Sequence, residues 1–308
     1  MNVNADDGLP ELFESRIALP DVRIAERRGR LIGFEERFSR LGRAMAILLD
    51  ADSLADWAAR FHGAGLPLVA AMTDRYPLIV LHGDVGTGKT VFAEAAADEL
   101  CRATRRDGML LKLSTRVRGV GQVGQMSHLI NQAFAVVESE AGRKRAAVLL
   151  IDEADSLAAS REQIHSHHED KVAVNTLIQK IDDVRRLGGR VLVLLCTNRL
   201  AALDPALLRR AALLERFDRP GDLERAAVLE ADTKGLGVSA EALAKTVALT
   251  GPEANEGLGF TFSDLRTRLL PEAVLRAYPD RPLADDDLVE TARAMTPSPS
   301  LVTEDIVN

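Results

Sequence analysis

The stretch of residues 77–90, with the sequence PLIVLHGDVGTGKT, constrains the fold of this chain more than any other stretch. Its first part, residues 78–81, is a short apolar run before a glycine, which is typical of a buried strand in a parallel sheet. Residues 83–90 then match the pattern G-x-x-x-x-G-K-[ST], and apolar residues at helical spacing follow them. A strand, a glycine-rich loop and a helix in this order predict a phosphate-binding P-loop rather than a simple glycine-rich turn.

The predicted loop has the groups that are needed to hold nucleotide phosphates with Mg²⁺. Glycines let backbone N–H groups point at phosphate oxygens, and the N-terminus of the following helix adds partial positive charge. Lys89 is expected at the β- and γ-phosphates, and the Thr90 hydroxyl is expected at Mg²⁺. The loop residues predicted to contact the nucleotide are Asp84, Val85, Gly86, Thr87, Gly88, Lys89, Thr90 and Val91.

The composition is that of an ordinary globular protein with room for two domains. The chain has 308 residues, of which 46% are hydrophobic and 28% charged, and no apolar run approaches the length of a membrane span. A net charge of −7 argues against a nucleic-acid motor, because a phosphate backbone usually needs a basic face. The N-terminus lacks a signal-peptide pattern, and Cys101 and Cys196 are interpreted as reduced thiols. We therefore expect a cytoplasmic location, with no membrane partner and no nucleic-acid partner.

Hydrophobic periodicity divides the chain into an α/β part and a helical part. Apolar strands are predicted at 78–81, 109–113, 146–151 and 191–195, with helices between them, which indicates the parallel α/β sheet of a P-loop NTPase. Only helical patterns follow the joint at 219–222. The predicted domains are an extended N-terminal extension at 1–29, a large α/β domain at 30–220, a small all-helical domain at 221–295 and a tail at 296–308 that is extended or disordered.

Special residues follow two of the other predicted strands. Asp152 and Glu153 come directly after a buried apolar run, and Asn198 follows the next strand. Because ligands bind at the carboxyl ends of parallel strands, we expect these residues to converge on the P-loop. Asp152 would bind Mg²⁺, mostly through water, Glu153 would polarise the attacking water, and Asn198 would help to position it. An acidic helix cap is the alternative interpretation of the acidic pair.

Two further clusters carry charge or metal-binding potential. Arg209 and Arg210 follow Asp204-Pro-Ala-Leu-Leu just before the joint, and one of them reaching a neighbouring subunit's γ-phosphate would stabilise transition-state charge. The alternative is a surface helix with two solvated arginines. The loop with His165, His167 and His168 is interpreted as a polar surface loop, since no second ligand cluster supports a metal.

These residues together resemble the AAA+ ATPases over about residues 30–290. The resemblance implies ATP and Mg²⁺ as cofactors, Ile32 and Gly33 beside the adenine, a Walker B motif at 148–153, Asn198 as sensor 1, and a hexameric ring. The helical tail then corresponds to the family's lid domain. Many members carry an arginine where this chain has Thr261-Phe-Ser-Asp264, so Arg266 or Arg268 is left as the candidate for a second sensor.

A narrower resemblance, over residues 149–186, is to the pachytene-checkpoint branch. That family uses ATP hydrolysis to remodel HORMA-domain proteins, and its short bacterial forms are associated with cyclic-oligonucleotide antiphage defence. The resemblance implies a pore loop at Arg118, Gly119 and Val120, where Gly119 replaces the family's aromatic residue. Another AAA+ unfoldase or activase, or a non-catalytic ATP-dependent switch, is the alternative function.

Overall fold

The computed structural model describes residues 12–114, 125–142, 145–157 and 168–301. Within these ranges the chain forms two compact units. The first comprises the residues up to His82 together with Thr90–Glu215, and the second comprises Gly83–Lys89 together with the residues from Arg216 onward. The P-loop is thus grouped with the C-terminal residues, a division that no motif in the sequence indicated.

A six-stranded mixed sheet forms the centre of the α/β part. Its strands in spatial order are β1 (Phe13–Leu19), β3 (Asp107–Leu113), β4 (Arg145–Ile151), β5 (Val191–Thr197), β2 (Leu78–Gly83) and β6 (Leu213–Phe217). Parallel pairs join β3 to β4, β4 to β5 and β5 to β2, as predicted for a P-loop sheet. Because β4 and β5 are covered on both faces, their residues are almost all buried apolar side chains.

The N-terminal residues contain a strand that the sequence analysis did not predict. Within the predicted N-terminal extension at 1–29, Phe13–Leu19 is an edge strand that pairs antiparallel with β3. A short helix, α1 (Val22–Arg28), follows and is capped by Asp21. Arg27 and Arg28 form ion pairs with Glu94 and Glu99, so their charges are partly neutralised within the chain. The half-buried alternation of β1 is a weak signal, which explains why the strand was missed.

Helices cover the sheet and connect its strands. They are α2 (Phe34–Leu49), α3 (Ala51–Phe61), α4 (Pro67–Thr73), α5 (Lys89–Thr104), α6 (Gln125–Glu140), α7 (His168–Arg185) and α8 (Pro205–Leu208). The apolar faces of α6 and α7 lie in the main core, with Phe134, Val137, Leu177 and Ile181 buried. Cys101 and Cys196 are buried free thiols, as predicted, and burial raises the pKa of Cys101 to about 11. No helix within the described ranges is both long enough and apolar enough to cross a membrane.

The C-terminal part of the second unit is helical, as predicted. Its helices are α9 (Asp222–Asp232), α10 (Ala240–Leu249), a π-helix at Asp264–Leu269 that runs into α11 (Leu270–Ala277), and α12 (Asp285–Ala294). Arg225 is its largest fully buried side chain and donates hydrogen bonds to the Pro220 carbonyl at 2.7 Å and to Asp222 Oδ1 at 2.5 Å. The segment after α12 lacks regular secondary structure but is hydrogen-bonded through Leu301.

Candidate nucleotide site

The P-loop folds around its own lysine. Lys89 is 6% exposed, and its Nζ donates to the carbonyl oxygens of Gly83 at 2.9 Å and of Asp84 at 2.7 Å. The Thr87 hydroxyl donates to the same Asp84 carbonyl at 2.8 Å. A buried ammonium that donates to loop carbonyls can exchange these acceptors for phosphate oxygens, which are stronger acceptors because they are charged.

Two glycines of the loop have left-handed backbones for different reasons. Gly86 has φ 76°, and a Cβ there would lie 2.7 Å from both Thr261 Oγ1 and Ser263 Cβ, so only glycine allows this close approach. Gly88 has φ 91°, and among the described residues no heavy atom outside its own chain neighbours lies within 4 Å of the position that a Cβ would take. A glycine-rich loop with open space in front of it, next to a buried lysine, fits a phosphate group.

The predicted magnesium ligands are in contact. Thr90, in the first turn of α5, donates its hydroxyl to Asp152 Oδ2 at 2.9 Å, and Asp152 directly follows β4. Lys112 Nζ lies 3.8 Å from the same carboxylate oxygen and also contacts Glu14. A hydroxyl and a carboxylate side by side are oxygen ligands of the kind that Mg²⁺ prefers, so these residues fit the ion. Sequence reasoning missed Lys112, although a lysine within an apolar strand was a visible signal.

Glu153 has an unusual backbone for a glutamate. Its φ is 48°, in the left-handed region, its side chain is exposed, and its N–H donates to Asp152 Oδ1 at 3.0 Å. Non-glycine residues adopt this conformation rarely and at a cost, and such residues cluster at functional sites. The turn directs the chain sharply away from β4 and leaves the carboxylate accessible, as a residue that activates water requires.

Asn198 begins the loop after β5, at the edge where β4 and β2 also end. Thr197 pairs with His82 in the β5–β2 register, and Leu195 pairs with Ile151 of β4. Thr197 Oγ1 donates to Asp155 Oδ1 at 2.8 Å and accepts the Arg199 N–H at 3.0 Å. This bridge ties the loop that carries Asn198 to the turn that carries Glu153, and sequence reasoning did not find it, since the two residues are 42 positions apart.

Arg210 and Arg209 differ in their surroundings. Asp182 of α7 binds the Arg210 guanidinium through both oxygens, at 2.6 and 3.0 Å, and the Ala206 carbonyl accepts a third hydrogen bond. The hydrogen bond that Arg210 donates to Asp182 raises the pKa of Arg210, although partial burial opposes this. Arg209 is exposed. These contacts hold Arg210 in one orientation. The sequence could not predict this, because Asp182 and Arg210 are 28 positions apart.

The predicted adenine residues are held against the P-loop helix. Gly33 has φ 72° and is the N-cap residue of α2, and Ile32 before it is half-buried. The next residue, Phe34, is buried and packs against Phe92 of α5 with ring centroids 5.3 Å apart. This aromatic pair, which sequence reasoning missed, places the Ile32–Gly33 turn next to the start of α5, where Val91 is 37% exposed.

Other predicted residues are paired within the second unit or lie outside the described ranges. Arg266 forms an ion pair with Asp232 at 2.6 Å, and Arg268 forms one with Asp264 at 2.7 Å, so both candidate second-sensor arginines are partnered. The predicted pore-loop residues Arg118, Gly119 and Val120 lie outside the described residues. So do His165, His167 and the side chain of His168.

Comparison with known proteins assigns this arrangement to a family. The model of the ATPase family associated with various cellular activities (AAA) matches residues 79–219. CD-NTase-associated protein 6 of Escherichia coli strain KTE188 is 50% identical over 289 residues, which cover 94% of this chain and 97% of that protein.

Two solved structures are similar over nearly the whole length. A chain in the structure of the E. coli MS115-1 HORMA:CdnC:Trip13 complex has a TM-score of 0.88 and 41% identity, covering 94% of this chain and 98% of that one. The structure of Rhizobiales Trip13 has a TM-score of 0.73 and 39% identity, covering 94% of this chain and 100% of that one. The predicted fold, an AAA+ α/β domain followed by helices, is confirmed.

Proposed function

This chain belongs to the CD-NTase-associated protein 6 family of AAA ATPases, and we propose that it hydrolyses ATP to open or disassemble a HORMA-domain protein. The observation that carries the ATPase is the contact between the Thr90 hydroxyl and the Asp152 carboxylate, beside a P-loop with a buried lysine. The partner is supported by the full-length similarity to a protein solved in a HORMA:CdnC:Trip13 complex.

In the proposed site each residue has one role. Lys89 and the loop N–H groups bind the phosphates, and Thr90 and Asp152 would hold Mg²⁺, which supplies positive charge to the β- and γ-phosphates when bound. Glu153 accepts a proton from the attacking water. Asn198 orients that water from the neighbouring strand. Ile32, Gly33 and Val91 contact the base.

We further propose that the site is completed by a second copy of the chain in a ring, most simply a hexamer. Arg210 would reach the γ-phosphate bound by its neighbour, with Arg209 in support. The bidentate hold of Asp182 keeps the guanidinium in one orientation before assembly, which lowers the entropy lost when the site forms. Residues 221–295 would act as the lid domain of each subunit.

We propose that the protein acts in the cytoplasm. The substrate would pass through the pore of the ring, and Arg118, Gly119 and Val120 of each pore loop would contact it there. Gly119 in place of an aromatic residue favours brief remodelling over long processive pulling. We also propose a role in controlling a cyclic-oligonucleotide antiphage defence system, which the resemblance to the short bacterial pachytene-checkpoint forms implies and the similarity to CD-NTase-associated protein 6 supports.

The test is ATP-dependent release of a HORMA-domain protein from its own complex. We expect the chain with ATP and Mg²⁺ to separate a HORMA protein encoded beside it from its bound partner, as followed by size-exclusion chromatography. The variant E153Q should bind the HORMA protein and retain it. Turnover without release would instead indicate another unfoldase or activase, and nucleotide-dependent binding without any turnover would indicate a switch.

A further inference from the structure

The segment after α12 makes a set of contacts that no part of the proposed function uses. We define residues 296–301, with the sequence TPSPSL, as the C-terminal strap. Pro297 and Pro299 fix their φ angles and have no N–H, so the strap cannot continue α12 and stays extended. Ser298 and Ser300 alternate with the prolines, and both are half-buried. The strap therefore has few hydrogen-bond donors of its own, and those of Ser298 and Leu301 are used on two carboxylates, Asp264 and Asp84.

The first contact of the strap is with Asp264, a residue 1% exposed. Ser298 donates its hydroxyl to Asp264 Oδ1 at 2.6 Å and its N–H to Oδ2 at 3.2 Å. The same carboxylate accepts the N–H of Thr261 at 2.9 Å. Thr261 is one of the two residues that a Cβ on Gly86 of the P-loop would strike. The strap thus binds the carboxylate that holds Thr261, and Thr261 packs against Gly86 in the middle of the P-loop.

The second contact is with the P-loop itself. The Leu301 N–H donates to Asp84 Oδ1 at 3.0 Å, and Arg219 Nε donates to Oδ2 at 2.7 Å. Arg219 also donates to the Ser298 carbonyl at 2.8 Å, so one guanidinium joins the strap to the loop. Burial raises the pKa of Asp84, but the bonds from Leu301, Arg219 and Ser300 outweigh it and lower the pKa. The side chain is therefore a buried, fully partnered carboxylate.

Asp84 links these contacts to the phosphate-binding lysine. Its side chain is held by the strap and Arg219, while its carbonyl accepts the Lys89 ammonium at 2.7 Å and the Thr87 hydroxyl at 2.8 Å. A residue fixed on both sides cannot rotate its peptide group without breaking a charged hydrogen bond. The position of the first half of the P-loop thus depends on a segment more than 200 residues away in sequence.

We propose that the C-terminal strap is a positioning device for nucleotide binding, in which Ser300, Leu301 and Arg219 hold the P-loop through Asp84. The proposal rests on the P-loop binding ATP, as in the proposed function. Asp152 and Glu153 follow β4 and make their contacts there. Loss of the strap should therefore weaken ATP binding and raise KM, while kcat at saturating ATP changes little.

The test places a like charge against Asp84. The variant S300D should weaken binding of a fluorescent ATP analogue about tenfold or more, because two carboxylates would compete for Arg219. The double variant S300D/D84N should bind to within about threefold of D84N alone, since the repulsion is gone. The matched control is T296D, which adds the same charge at an exposed strap residue. If the tail were merely structural, S300D would weaken ATP binding as much in the D84N background as in the unaltered chain.

A pair of truncations gives an independent readout. Ending the chain after Met295 should raise KM about tenfold and leave kcat within about twofold, whereas ending it after Leu301 should leave both unchanged. Equal ATP affinity for S300D, T296D and the unaltered chain would overturn the strap proposal, and so would a loss of kcat without a change in KM. If S300D does not fold, S298A/S300A replaces it. Failure of the unaltered chain to bind ATP would instead overturn the proposed function.

Discussion

Glu153 shows at the residue scale how backbone strain and chemistry coincide. A left-handed glutamate with an exposed carboxylate, directly after a residue that contacts Thr90, is costly for the fold and useful for hydrolysis. We expect E153Q to bind ATP like the unaltered chain and to lose at least about a hundredfold in turnover, the usual scale for loss of a general base. A fluorescent-nucleotide titration and a phosphate-release assay measure the two separately. A parallel loss of binding and turnover would show that Glu153 is needed for the fold.

Lys89 gives the second prediction at this scale. K89A removes the principal cation for the phosphates and also removes the ammonium that donates to the Gly83 and Asp84 carbonyls. Tight ATP binding should be abolished, because charge-assisted hydrogen bonds to phosphate are lost in a partly buried site. The matched control is K180A, which removes a lysine on α7 that pairs with Asp183 and should bind normally. Affinity like that of the control would remove Lys89 from the site.

At the scale of elements, apolar content decided what the sequence could predict. Strands β2, β4 and β5 were found because each contains a run of consecutive apolar residues, which a strand buried on both faces requires. Strand β3 was found from the shorter apolar run at 109–111. Strands β1 and β6 lie at the sheet edges and alternate in burial, so their patterns are close to those of loops. The strap was left between extended and disordered, since its order comes from partners elsewhere in the chain.

In the candidate site too, some residues could be predicted from the sequence and others could not. Lys89, Thr90 and Asp152 belong to local motifs whose spacing alone indicates their chemistry, and the structure brings the last two together. Other contacts join residues that are far apart in sequence. They are the ion pair of Arg210 with Asp182, the aromatic contact of Phe34 with Phe92 and the hydrogen bond of Thr197 with Asp155. Such pairings depend on how elements pack, and a single sequence without tertiary contacts does not specify them.

Helix α12 carries a prediction about pH. Asp287 in its first turn accepts two hydrogen bonds from Arg281, at 2.6 and 2.7 Å, and one from the Ala284 N–H. The hydrogen bond from Arg281, followed by that from Ala284, lowers the pKa of Asp287 to about 2. A carboxyl with a depressed pKa stabilises the fold above its unfolded pKa of about 3.9 and loses that effect as the pH falls toward 2.

We therefore expect D287A to lower Tm by about 2–4 °C at neutral pH, the usual scale for losing a helix-terminal partner in a domain of this size. The difference from the unaltered chain should shrink between pH 4 and pH 2, as measured by circular dichroism melts. Glu290, also on α12, pairs with an exposed arginine on the surface, so E290A is the matched control and should change Tm little. A Tm difference that is independent of pH would contradict the assignment.

At the scale of the whole molecule, the proposed ring makes hydrolysis a property of two subunits. Arg210 lies just after α8 and is held by α7 of its own chain. A transition-state arginine supplied by a neighbour contributes about 10³ to 10⁵ in rate. We therefore expect R210A to spare ATP binding by an isolated subunit and to lose most hydrolysis. R209A should have a smaller effect, since Arg209 is exposed and lacks the Asp182 contact that orients Arg210.

Mixing inactive subunits separates a shared site from a site within one chain. In a ring of R210A and E153Q subunits, some interfaces pair an intact Glu153 with an intact Arg210, so ATPase activity should partly recover. A ring of K89A and E153Q subunits is the matched control. Each of these substitutions damages the nucleotide-binding side of the subunit that carries it, so no interface in the mixed ring is complete and no activity should return. Absence of recovery in the first mixture, despite demonstrated subunit exchange, would contradict a shared site. A rate per subunit that stays constant when the protein is diluted to monomers would also contradict a shared site, because Arg210 of one subunit cannot reach the ATP of a subunit from which it has dissociated.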